Sequence, residues 1–203
     1  MMKKIVAFTG AGVSKASGIP TFEENGDIRK YLHRNYFNQE PERFYKKLIE
    51  FGSNLNKAKP NSAHKALAKY NIPVITMNVD RLHQKAGSKE VIEVHGNIEK
   101  IHCPECINDF PFKYGGKNHT CPDCGSVLQH DIILYGDGLP LGAIQKAFKL
   151  IENADELIVI GTSFYTSTSS MVVNHAKDRN IKVTLFNEDA EKKIPKYLKQ
   201  ILK

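Results

Sequence analysis

The stretch "KIVAFTGAG", Lys4–Gly12, decides how the rest of the chain is read. "KIVAFT" (Lys4–Thr9) is a continuous apolar run of the kind that forms a parallel strand buried on both faces. Gly10-Ala11-Gly12 then turns the chain into a short helix near Val13–Ala16, which Pro20 limits. At such a junction backbone N–H groups and the helix dipole receive phosphate, and glycine lets a dinucleotide approach the main chain. The loop is not a strict G-x-G-x-x-G, because Lys15 occupies the third glycine position. On its own it fits a plain tight turn as well as a nucleotide site.

Working outward, further apolar runs read as strands at Ile72–Thr76, Val91–His95, Asp131–Gly136, Glu156–Gly161 and Ile181–Asn187. Helices are predicted over Pro41–Phe51, Ser62–Lys69 (capped by Asn61 or Ser62), Leu141–Asn153, about 168–179 and Ala190–Leu202. Val79–Ala86 reads as a helical turn stopped by Gly87, and residues 18–38 as a binding loop with short helical pieces. Strands alternating with helices predict an α/β fold, a Rossmann-like doubly wound parallel sheet. Five strand ends carry polar residues or glycine: Gly10 and Gly12; Asn78 and Asp80; His95; Gly161, Thr162 and Ser163; Asn187 and Glu188. In such folds ligands bind at the carboxyl edge of the sheet.

At 203 residues the chain has room for one main core and a small appended module. Its 41% hydrophobic and 25% charged content is that of a soluble globular protein, and no run reaches the roughly 18 apolar residues of a membrane span. With no secretion signal the expected compartment is the cytoplasm. Twenty-nine basic residues against 22 acidic give +7, but the lysines are scattered without aromatic platforms, so no nucleic-acid surface and no membrane partner is expected.

All four cysteines lie in two pairs, "CPEC" (Cys103, Cys106) and "CPDC" (Cys121, Cys124), with fourteen residues between them. Two such knuckles complete a tetrahedral four-thiolate site with no vertex left for water, which argues for structural Zn2+. Disulfides, redox use of a Cys-x-x-Cys pair and an iron–sulfur cluster are the competing readings. The module, residues 100–129, is too small to fold on its apolar area alone, so metal should supply much of its stability.

Taken in order, GAG-x-S-x-x-SGIP-x-F, NVD-x-LH-x-x-AG, HG, two CP-x-C pairs, GTS and N-x-E resemble the sirtuin family of NAD-dependent protein deacylases, over residues 4 to about 188. The resemblance implies removal of acetyl or other acyl groups from protein lysines, with release of nicotinamide and O-acyl-ADP-ribose. It places NAD between a Rossmann-like domain (1–99 and 130–203) and the zinc module, with the 18–38 loop and nearby helices completing the small domain. Gly10, Ala11, Gly12 and Ser14 would line the dinucleotide site and Phe22 would shield the anomeric carbon. Asn78 and Asp80 would serve the nicotinamide pocket as catalytic residues, Asp80 accepting from the carboxamide. Gly161, Thr162, Ser163, Asn187 and Glu188 would hold the adenosine half. His95 would be the general base for a ribose hydroxyl, after the acyl carbonyl oxygen has displaced nicotinamide. His83 reads as structural and His64 as a helix-start packing residue. The acylated protein would lie extended beside "YGDG" (Tyr135–Gly138), its lysine in an apolar tunnel; Arg29 and Tyr31 offer an alternative seat for an acidic acyl group.

Several positions depart from the family pattern. Glu23 stands where arginine is usual; a carboxylate about 4 Å from a phosphate costs roughly 1 kcal/mol in water and about 4 at lower dielectric. Outward rotation of Glu23 is the favoured resolution; the alternatives are weak NAD binding, or Arg29 standing in for the arginine. Met77 replaces a glutamine, Thr166 and Thr168 replace valine and proline, and the family's final strand is expected to be trimmed. NAD hydrolysis or ADP-ribosyl transfer on the same scaffold, and a non-catalytic NAD or ADP-ribose sensor, are the competing functions.

Overall fold

The computed structural model describes residues 3–21, 24, 26–164 and 166–202. Phe22 and Glu23, both singled out in the sequence, lie outside the described residues. Five parallel strands form the main sheet: β1 (Ile5–Thr9), β2 (Val74–Thr76), β3 (Val91–Glu93), β7 (Glu156–Ile160) and β8 (Lys182–Phe186). Their spatial order is β3-β2-β1-β7-β8. The chain thus winds outward from β1 in one direction, then returns to its other side, leaving a switch point between β1 and β7.

Side chains alternate along β1. Ile5 and Ala7 pack with Ile158 and Ile160 against α4 (Ser62–Lys69) and α8 (Ala190–Ile201), while Val6 and Phe8 pack with Leu157 and Val159 against α6 (Leu141–Glu152) and α7 (Ser167–Asp178). Both faces are covered, which is why the strands read as unbroken apolar runs. At the amino edge Glu156 is buried; Lys3 and Lys182 pair with it and Tyr197 donates to it at 2.6 Å, tying α8 to the sheet.

A second, three-stranded antiparallel sheet, β5-β4-β6, carries the cysteines: β4 (Lys100–His102), β5 (Asp109–Pro111) and β6 (Gln129–His130). It shares a core with α2 (Arg34–Gln39) and α3 (Pro41–Lys57), where Phe37, Phe44, Tyr45 and Leu48 meet Ile101, Phe112 and Leu128. The short α1 (Gly26–Tyr31) precedes them, and α5 (Leu82–Lys85) sits between β2 and β3.

Two expectations need correction. Asp131–Gly136 is no strand of the sheet but an extended strap: Ile133 N donates to His95 O at 3.0 Å and Tyr135 N to Leu32 O at 2.9 Å. Its apolar run is explained by burial of Ile132 and Leu134 in the core of the small sheet, not by strand pairing. β3 ends at Glu93, since Gly96, at φ +69°, turns the chain out of the ladder. The remaining strand and helix predictions differ from the structure mainly at their ends, α3 being longer at its C-terminus.

Candidate active site

At the switch point two glycine turns interlock. Gly12 N donates to Gly161 O at 2.8 Å, and Gly10 N to Ile160 O at 3.0 Å. A Cβ on Gly10 would stand 2.8 Å from Gly161 O, one on Gly12 2.7 Å from Gly161 Cα, and one on Gly161, at φ +62°, 2.3 Å from Val13 N. Glycine is therefore required here by loop-against-loop packing before any ligand arrives. Asn61 fixes the turn from below: Nδ2 donates to Val13 O at 2.8 Å and to Ser17 Oγ at 3.1 Å, while Oδ1 caps α4.

Above these turns lies a cavity of about 280 Å³. Gly10, Ala11, Gly12, Asn78, His95, Gly161, Thr162, Ser163 and Asn187, all expected from the sequence, line it. Asn187 Oδ1 accepts from Thr162 N at 3.2 Å, joining the loops after β7 and β8. Glu188 is exposed and outside the lining. Ser14 and Asp80 also lie outside it, buried one layer below.

That layer is a polar network. Ser14 Oγ donates to Asp80 Oδ2 at 2.7 Å, Asn78 Nδ2 to Ser14 Oγ at 3.2 Å, and Leu82 N to Asp80 Oδ1 at 2.9 Å. Asp80 thus orients Asn78 and Ser14 rather than facing the cavity. His64 Nε2 is 3.5 Å from Ser14 Oγ, and His83 Nε2 is 3.0 Å from Thr9 Oγ1, with the two rings 4.7 Å apart. Since Ser14 gives its one proton to Asp80, the imidazole of His64 is the donor in their contact. Burial lowers the pKa of His64 to about 4 and that of His83 well below 6.5, so both rings are neutral at pH 7. His64, expected only to pack a helix start, belongs to the site's foundation; its place opposite Ser14, fifty residues away, had no signal in the sequence.

His95 follows β3 at the cavity's inner end. Its Nε2 is 3.0 Å from Thr168 Oγ1, and burial lowers its pKa to about 4. The departure at Thr168 therefore supplies the imidazole's hydrogen-bond partner. Met77 and Thr166 join each other through a 3.4 Å Oγ1–Sδ contact and also line the cavity. Lys15, Thr21, Glu24, Arg29 and Tyr135 complete the wall; of these only Arg29, as a stand-in for the arginine missing at Glu23, is expected from the sequence on the cofactor side. Lys15 Nζ meets Glu24 Oε1 at 2.7 Å and, with Thr21, holds the Glu24 carboxyl at about 2. Arg29 lies over the Tyr135 ring at 5.8 Å.

A second cavity of about 390 Å³ begins where the first ends. Met77, His95, Tyr135 and Thr166 belong to both linings. Its other walls are mainly apolar, with Leu32, Leu48, Phe51, Val79, Ile132 and Leu139.

Across the small sheet, the four cysteine sulfurs lie within 4.8 Å of one another. Cys103 and Cys124 Sγ are 3.5 Å apart, close to the roughly 3.8 Å edge of a tetrahedron with Zn–S bonds of about 2.3 Å. The knuckles repeat one hydrogen bond, Ile107 N to Cys103 O at 3.0 Å and Gly125 N to Cys121 O at 2.9 Å. All four thiols are free of disulfides, and the donor set fits zinc. His102 faces Asp131 at 3.5 Å instead of the cluster.

The Sir2 family model matches residues 10–168. An NAD-dependent protein deacylase of Thermococcus sibiricus is 38% identical, covering 90% of this chain and 80% of its own length. An NAD-dependent protein deacetylase of Bacillus cereus is 39% identical, covering 79% of this chain and 71% of its own. Among solved structures, Sir2 in complex with an inhibitor, 2′-O-acetyl-ADP-ribose and a deacetylated peptide superposes with a TM-score of 0.84 at 32% identity, covering 97% of this chain and 93% of that one. Sir2Tm bound to a propionylated peptide gives 0.84 at 31% identity, over 97% and 92%.

Proposed function

The chain belongs to the Sir2 family, the sirtuins, and from that premise we propose how its residues divide the work of an NAD-dependent protein deacylase. The reaction removes acetyl or other acyl groups from protein lysines and consumes NAD. The observation that carries the division of labour is that His95 stands where the polar and apolar cavities meet.

The glycine turns fit a dinucleotide: they expose main chain at a switch point, flanked by Thr162, Ser163 and Asn187. When bound, NAD supplies a ribose carbon from which nicotinamide leaves. Gly10, Ala11, Gly12, Gly161, Thr162, Ser163 and Asn187 bind it, with Glu188 at the rim and Phe22 as the shield. Asn78 presents its amide to the nicotinamide end, held by Ser14 and Asp80, so the amide is oriented before the ligand arrives. The apolar cavity takes the acyl-lysine side chain and keeps water from the reacting carbon.

His95 accepts the ribose hydroxyl proton. Its low pKa keeps the imidazole neutral at pH 7, so the lone pair is available without prior deprotonation. Thr168 holds the ring until the ribose hydroxyl takes its place at Nε2. Cys103, Cys106, Cys121 and Cys124 hold zinc away from this chemistry and stiffen the small sheet. Residues 1–99 and 130–203 form the NAD-binding domain and 100–129 the zinc module, with the 18–38 loop and nearby helices completing the small domain, a division supported by the two separate sheets and by the core that α2 and α3 share with the small one. Among the described residues no helix is long and apolar enough to cross a membrane, and four free thiols placed as metal ligands suit the reducing cytoplasm.

Nicotinamide release tests the reading, measured with NAD alone and with NAD plus acetyl-lysine peptide. Release that needs the peptide, and is lost in His95→Ala while NAD still binds, is the expected result. Peptide-independent release identifies an NAD hydrolase or ADP-ribosyltransferase instead, and NAD binding without any release identifies a sensor.

A further inference from the structure

Lysines that stand far apart in the sequence are gathered by the fold onto one face. α4 and α8 lie side by side on the same side of the main sheet, where Ala66 and Leu67 share a core with Ile194 and Leu198. Their outer surfaces carry Lys65 and Lys69 on α4, and Lys192, Lys193, Lys196 and Lys199 on α8, all exposed. Spacings of three and four residues align Lys65 with Lys69, and Lys192 with Lys196 and Lys199. Against these six the two helices hold one acid, Glu191, so they carry +5 of the chain's +7. By contrast α6 and α7, on the opposite face, hold three lysines and two acids. Asp189, just before α8, pairs with Lys192 at 3.0 Å. Among the described residues Lys65, Lys193, Lys196 and Lys199 form no ion pair, so their field reaches solvent unneutralised.

The chemistry of this face narrows what it can hold. Interfacial membrane helices bury an apolar stripe in lipid, but Ile194 and Leu198 of α8 are already spent on the sheet. Protein interfaces are anchored by exposed aromatic or aliphatic side chains and are poor in lysine. The exposed large apolar residues Ile107, Val127, Tyr135, Leu141, Phe164 and Leu185 all lie outside α4 and α8. Single-stranded nucleic acid needs open aromatic rings on which bases stack. Tyr197 is half-buried against Phe186 with its hydroxyl on Glu156, and Tyr70 is half-buried beside Lys69. A duplex needs neither anchors nor rings, only cations at phosphate spacing. Lys192 to Lys199 covers about 10 Å of helix axis, and a duplex presents about six phosphate charges over that length.

We propose that the α4–α8 face is a docking surface for double-stranded nucleic acid, bound through its phosphates and without regard to sequence. No residue of α4 or α8 lines either catalytic cavity, so a docked duplex leaves both open. The site thus tethers the enzyme to a polyanion while its cleft remains free for proteins held on the same duplex.

The test is fluorescence anisotropy with the full chain and a labelled mixed-sequence DNA duplex of about 30 base pairs, between about 50 and 200 mM salt. The expected Kd is micromolar at the lower salt, with a slope of log K against log salt of about −3 to −5. The triple variant Lys65→Gln, Lys193→Gln, Lys196→Gln should bind at least about tenfold more weakly at 100 mM salt, with a slope shallower by about 2 or more. Lys146→Gln, Lys149→Gln, Lys177→Gln removes the same charge from the opposite face and should change Kd by less than about threefold. Thermal unfolding is followed in both variants as the check on their folds. Absence of binding at about 50 mM salt, or equal weakening in the two triples, overturns the proposal. So does tighter binding to a single strand of the same length, to phosphatidylserine vesicles or to polyglutamate, each of which assigns the face to a different occupant.

Discussion

Gly96→Ala is the most demanding test of how the catalytic imidazole is held. Gly96 adopts φ +69°, and a Cβ there would lie 1.7 Å from Asp131 O and 2.7 Å from Asp131 C. Alanine in this left-handed conformation costs about 1–2 kcal/mol. The overlap is with backbone, so the strap must retreat by more than about 1 Å, at an overpacking cost of about 1–3 kcal/mol. That movement strains the 3.0 Å hydrogen bond from Ile133 N to His95 O, which anchors the imidazole's own residue. A total of about 2–5 kcal/mol corresponds to a Tm lowered by roughly 4–20 °C for a chain of this size. Displacement of a reacting group by about 1 Å also lowers kcat/KM about a hundredfold. Thermal unfolding by circular dichroism and peptide-dependent nicotinamide release measure the two effects, with zinc content confirming that the small sheet survives. A variant with Tm within about 2 °C and kcat/KM within about threefold of the parent would refute the reasoning.

The acidic limb of kcat/KM should fall near pH 4 rather than 6.5, because burial lowers the His95 pKa and the base is lost only below it; a limb centred at 6.5 would place His95 in a wetter site. Acid should also unfold the protein early. His64 and His83 are neutral in the native state while the unfolded chain binds protons below pH 6.5, so stability drops as pH falls from 6.5 towards 4, by roughly 3 kcal/mol for His64; denaturant midpoints that stay flat over that window would contradict it. Zinc should copurify at one ion per chain, and a strong chelator should melt the 100–129 module, read as loss of protection in hydrogen exchange over β4–β6. Glu24→Gln removes a negative charge from the cofactor cavity beside Lys15 and should tighten NAD binding in calorimetry, more so at low salt; weaker binding would give the acid a positive role.

Much of this was legible in one dimension because it is local. A parallel strand buried on both faces must be apolar throughout, so β1 and β7 announced themselves, and metal knuckles need their thiols two residues apart. Polar residues after such strands are carried to one edge by the topology, which is how Asn78, His95, Thr162 and Asn187 were found together. The strap at Asp131–Gly136 misled for the same reason: burial dictates apolar residues whether or not a ladder forms.

What tertiary structure alone decided concerns contacts between segments distant in the chain. Only there does Gly161 prove to be the surface that forbids side chains at Gly10 and Gly12, and Thr168 the partner of His95. Asp80, a strand-end acid by sequence, is seen to spend its oxygens on Ser14, Asn78 and Leu82 beneath the cavity. The size of the apolar cavity depends on α3 and Leu32 meeting the strap, and side-chain volume is a property of that meeting. Residue type and spacing encode what each segment must bury or bind, while the distances that set reach, tautomer and room arise when the segments pack.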